Sequence, residues 1–86
     1  MQCLYVVEMT EMERGWGPRP DGLLAFPDQA SADAHVAAAT SGRTGHAPDV
    51  YVSYHSLGFK PCSAAVAARC AAEGWVYADR LSDLGA

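Results

Sequence analysis

The stretch Gly15-Trp16-Gly17-Pro18-Arg19-Pro20-Asp21-Gly22 constrains the fold more than any other. Its two prolines hold φ at about −65° and lack an N–H, while its three glycines permit φ > 0. No helix runs through such a segment. It predicts a shaped loop, holding out Trp16 and Arg19, between two separate runs of ordered backbone.

The flanking runs read as strands. From Cys3 to Met12 apolar residues fill both alternating rows, Leu4 and Val6 in one and Tyr5, Val7 and Met9 in the other, before Glu8, Glu11, Glu13 and Arg14 turn the chain toward water. Leu23-Leu24-Ala25-Phe26, too short for a helix, pairs with it as a hairpin. Asp28 offers an N-cap to an alanine-rich helix reaching about Thr40, where Gly42 is a natural stop. From Asp49 to Leu57 the chain alternates, with Val50, Val52 and Tyr54 opposite Tyr51, Ser53 and His55, and Gly58-Phe59-Lys60-Pro61 breaks the strand. A second helix starts at Cys62 or Ser63 and ends before Gly74; Trp75 to Ala78 forms a last strand, and Asp79 to Ala86 a frayed tail or short turn of helix. This order predicts an α+β, two-layer sandwich: a four-stranded, mostly antiparallel sheet with two helices on one face. The third strand, second helix and fourth strand could form a right-handed βαβ unit.

A chain of 86 residues makes one small domain spanning 1–86, with a core leaning on Tyr5, Val7, Leu24, Phe26, Val50, Val52, Tyr54, Trp75 and Tyr77. Such a domain is marginal in stability, and a homodimer would cover extra surface. The net charge of −4 argues against direct nucleic-acid binding, which needs a basic footprint. No apolar run approaches the about 18 residues of a membrane helix, and no secretory leader is evident, so a cytoplasmic location is expected.

Site chemistry is sparse. Cys62, near a helix N-terminus that lowers a thiol pKa, could join His55 and Asp49 as a nucleophile set, with Cys70 as a substitute. The simpler reading of Cys3, Cys62 and Cys70 is free thiols, without a disulfide framework. His35, His46, His55 and the cysteines lack the local spacing of metal ligands, so no metal, cofactor or catalytic residue is assigned. A phosphate cradle needs its glycines to lead into a helix, and here they lead into a strand.

The remaining feature is the loop, with Trp16 either a lid over the hairpin or a contact. Trp and Arg are enriched at binding hot spots, and a proline-stiffened loop loses less entropy on docking. Glu11, Glu13, Arg14, Trp16, Arg19 and Asp21 are therefore the expected partner-binding set.

Trp16-Gly17 and Arg19-Pro20-Asp21-Gly22, followed by an apolar strand and an alanine-rich helix, resemble small reading frames carried by phages and mobile elements of GC-rich bacteria. Anti-CRISPR proteins occur among these. They are similar in being short, acidic and free of catalytic signatures, and most occlude a site on a larger nucleoprotein complex. The resemblance implies a non-enzymatic inhibitor in the host cytoplasm, docking on a host protein or Cas effector of type I and blocking target DNA. It carries over no individual residue, and −4 is milder than the charge of strongly DNA-mimicking members. A small-ligand-binding or regulatory domain and a small cysteine-dependent enzyme are the alternatives.

Overall fold

The computed structural model describes residues 2–13, 17–40 and 50–85. Four strands, β1 (Gln2–Glu13), β2 (Gly17–Phe26), β3 (Val50–Cys62) and β4 (Val76–Ala78), form one antiparallel sheet in the order β3-β1-β2-β4. Helix α1 (Gln29–Thr40) joins β2 to β3, and α2 (Ala64–Glu73) joins β3 to β4. The fold is α+β, as expected.

β1 is the spine. It pairs with β3 along its whole length, from Gln2 opposite Cys62 to Glu13 opposite Val50, and with β2 from Tyr5 opposite Phe26 to Glu13 opposite Gly17. Its apolar rows face opposite ways, and each needs cover. Leu4 and Val6 join Leu23, Ala25, Val76 and Ala78 beneath α2, where Cys70 is buried and Val66 and Ala67 pack. Tyr5, Val7 and Met9 join Leu24 and Phe26 beneath α1, where Ala32 is buried and Val36 packs. The helices thus lie on opposite faces, giving three layers instead of the expected two with both helices on one face. A strand apolar in both rows cannot leave one side to water.

The expected βαβ unit is also absent. β3 and β4 occupy opposite edges of an antiparallel sheet, so α2 carries the chain past β1 and β2 instead of between parallel neighbours.

Several local expectations hold. The Ser31 N–H donates to the Asp28 carboxylate at 2.7 Å, capping α1. This bond holds the Asp28 carboxyl below its ordinary pKa. Ser63 caps α2 by accepting from the Val66 N–H at 3.1 Å, and Gly74 closes it at φ 90°. Gly42 lies outside the described residues.

Two strand boundaries differ from expectation, both through bulges. At Gly58 (φ 81°) the β1–β3 register slips between Val6 and Val7, so the Gly58-Phe59-Lys60-Pro61 segment continues the strand. Near Gly22 (φ 95°) the β1–β2 register slips between Glu8 and Thr10, and Gly17 to Pro20 pair with the end of β1 instead of forming a free loop. The residues after β4 do not fray. Leu81–Leu84 forms a 3-10 turn whose Leu84 is buried, and the Leu84 carbonyl accepts from the Ser63 N–H at 2.9 Å.

These features set two stability outcomes. Leu84→Ala should lower the urea midpoint by the equivalent of about 2–5 kcal/mol, because the tail loses its anchor in the core. A Cβ at Gly22 would lie 2.5 Å from the Tyr77 hydroxyl oxygen, whereas one at Gly58 meets nothing within 4 Å. Gly22→Ala should therefore cost more than the about 1–3 kcal/mol of backbone strain expected at Gly58→Ala. Urea titration of both variants measures the difference.

Candidate functional site

Of the expected partner-binding residues, Glu11, Glu13 and Arg19 lie at one end of the sheet. Beyond Met9 the β1 ladder continues, with Thr10 to Glu13 set against Pro20 to Gly17 on one side and Ser53 to Val50 on the other. None of the described side chains in this three-stranded arm is buried. The molecule is correspondingly long, with principal extents of 42 × 23 × 18 Å.

Glu11 and Arg19 are direct cross-strand neighbours in the arm. The Arg19 guanidinium donates to the Glu11 carboxylate at 2.9 Å, with the arginine largely exposed. A pair so open to water adds little stability, and its main effect is to hold two long side chains in one presentation. Glu13 sits in the ladder opposite Gly17 and Val50. Arg14 and Trp16 lie outside the described residues. Asp21 stands apart at the β2 bulge, where its carbonyl lies 3.4 Å from the Tyr77 hydroxyl. That hydroxyl also donates to the Asp79 carboxylate at 3.0 Å, a bond a phenolate could not make, and this pushes the Tyr77 pKa up.

The thiol set is not assembled. His55 and Cys62 lie on the same strand seven residues apart, about 23 Å at strand rise, far outside hydrogen-bond reach. Cys62 is buried beneath α2, and burial raises its pKa instead of the helix terminus lowering it. Cys70 is likewise buried and raised, its thiol 3.5 Å from the Ala25 carbonyl oxygen. Cys3 is exposed, and all three are free. His35 is a packing residue between Phe26 and Trp75, with ring centroids 5.3 and 5.8 Å away. His46 and Asp49 lie outside the described residues. Among the described residues no three His, Cys, Asp or Glu side chains converge as a metal site, and no helix is long and apolar enough to cross a membrane.

Two of the concavities lined by described residues bear on function. One, of about 270 Å³, lies between α1 and β3 and is lined by Val7, Asp33, Val36, Ala37, Tyr54 and Ser56. Ser56 is hydrogen bonded to the Tyr5 hydroxyl. The other, open and about 600 Å³, follows the β4 edge between Arg69 and Glu73 of α2 and Trp75, Val76 and Tyr77. Trp75 and Tyr77, expected in the core, are 43% and 50% exposed there. An aromatic β-strand triplet resembles interior sequence, which hides this edge; Glu73 in the last helical turn, where a negative charge is unfavourable, is the local sign of it. Compared with family models, curated proteins and solved structures, the chain matches none.

The thiol geometry is checked by alkylation. In native protein at neutral pH, iodoacetamide should modify Cys3 quickly while Cys62 and Cys70 react only after denaturant is added. Mass spectrometry of the labelled peptides reads the order, and rapid native labelling of Cys62 would contradict the buried placement.

Proposed function

We propose that the chain is a non-enzymatic binding protein that docks on a macromolecular partner through the three-stranded arm. The observation supporting this is the ordered ladder beyond Met9, which carries the Glu11–Arg19 pair without a buried side chain among the described residues. A ladder already paired on both sides of β1 loses less conformational freedom on docking than a flexible loop. Glu11, Glu13, Arg14, Trp16 and Arg19 form the contact set, with Asp21 at its base.

In its narrower form the proposal makes the partner a type I CRISPR effector whose target-DNA site the arm occludes. Support for that form is the likeness of Trp16-Gly17, Arg19-Pro20-Asp21-Gly22 and the following strand and helix to reading frames of phages and mobile elements. Expression of the chain should abolish protection in a plasmid-interference assay, and Glu11→Arg or Arg19→Glu should restore it. Absence of any complex with Cas components on pull-down removes the narrower form.

A second reading rests on the cleft between α1 and β3. Its volume is just under the roughly 300–1,000 Å³ of typical small-molecule sites, and Asp33, Tyr54 and Ser56 supply polar groups among Val7, Val36 and Ala37. A metabolite screen by thermal shift tests it: a stabilising ligand whose effect is lost in Tyr54→Ala favours this reading.

A further inference from the structure

From the β4 edge we infer that the chain forms a two-fold symmetric dimer, with β4 pairing antiparallel to β4 of a second copy and α2 running beside its counterpart. This surface lies apart from the arm, and its occupant is another copy of this chain.

β4 pairs with β2 on one side, and no described strand covers the other. An open edge offers unpaired backbone donors and acceptors to an added strand. Trp75 and Tyr77, two residues apart and therefore on one face, flank that edge while staying about half exposed, Trp75 with one side against His35. Arg69 and Glu73 flank it from the α2 side, lining the same cleft. Tryptophan, tyrosine and arginine are the residues most enriched at interface hot spots.

The charges identify the occupant. Glu73 stands in the last turn of α2, where the helix dipole disfavours an acid. Among the described residues neither Glu73 nor Arg69 has an ion-pair partner. An arginine four residues before a glutamate is also the weaker order for pairing within a helix. Each residue therefore lacks what the other offers, as an isologous interface requires, where residue i meets j and j meets i.

The spacing agrees. Only Gly74 and Trp75 separate α2 from β4, so Glu73 lies level with the start of the strand. Tyr77 lies about 3.3 Å further along at strand rise, and Arg69 lies about 6 Å from Glu73 along the helix axis. A two-fold axis normal to the sheet at Tyr77 places the partner's Glu73 at a level about 7 Å along, within roughly 1 Å of the level of this copy's Arg69. Two reciprocal Arg69–Glu73 pairs result, one at each end of the helix pair. Exposed Ala65, Ala68 and Ala72 leave α2 slim enough for its counterpart to approach. The product is a continuous eight-stranded sheet.

Analytical ultracentrifugation across the micromolar range tests this, with circular dichroism and melting curves confirming that each variant folds. Wild type should show a concentration-dependent dimer. Arg69→Glu and Glu73→Arg should each weaken it at least about tenfold, by placing like charges opposite one another, and the double exchange should restore it. In a Trp16→Phe background, Trp75 emission should shift to the blue as the dimer forms. A wild type that stays monomeric, a dimer indifferent to the single reversals, or a double exchange that fails to recover would each overturn the inference. The Arg69 and Glu73 reversals lie outside the arm, so partner binding through Glu11 and Arg19 is scored independently in those variants with Trp16 retained.

Discussion

Everything in this fold depends on β1 being shared. Its backbone is hydrogen bonded into ladders on both sides, and its alternating side chains are buried on both faces beneath different helices. Val6 is fully buried and Val7 nearly so, although they point in opposite directions. With one strand saturated in four directions, the other elements have few places to go. β2 and β3 take its two edges, α1 and α2 its two faces, and β4 can add only outside β2. The tail then closes the α2 side by seating Leu84 in the core and binding the Ser63 backbone.

The same saturation explains the distribution of usable surface. Core residues run from Leu4 to Met9 on β1, but the strand continues to Glu13, and its neighbours continue with it. The excess becomes an arm held rigid by pairing and left open on its faces. At the opposite margin β4 is too short to be covered and leaves Trp75 and Tyr77 exposed. Cross-strand pairing thus supplies two kinds of surface: a charged arm and an aromatic edge flanked by Arg69 and Glu73.

Local signals were legible wherever a single residue dictates backbone chemistry. Asp28 and Ser63 cap helices and Gly74 ends one, because each solves a hydrogen-bonding or φ problem that arises within a few residues. The double apolar row of β1 was also legible, yet its consequence, a helix on each face, was missed because helix placement depends on strand order. Gly58 and Gly22 read as breaks, since positive φ ends a strand as readily as it makes a bulge; only the partner strand's register distinguishes the two. For the candidate site, Glu11 and Arg19 stood out from the Gly-Pro stretch, but their pairing required the hairpin register. Cys62 and His55 suggested chemistry that strand geometry then separated. The β4 edge was hidden because Trp75 and Tyr77 look like core residues until the sheet order puts them at its margin.

Hydrogen–deuterium exchange along β1 tests this account most directly. Amides from Leu4 to Met9 should exchange slowest in the molecule, opening only with global unfolding, while those from Thr10 to Glu13 exchange faster in the free protein despite belonging to the same strand. Uniform protection along β1, or a Leu4–Met9 segment exchanging as fast as the arm, would contradict it.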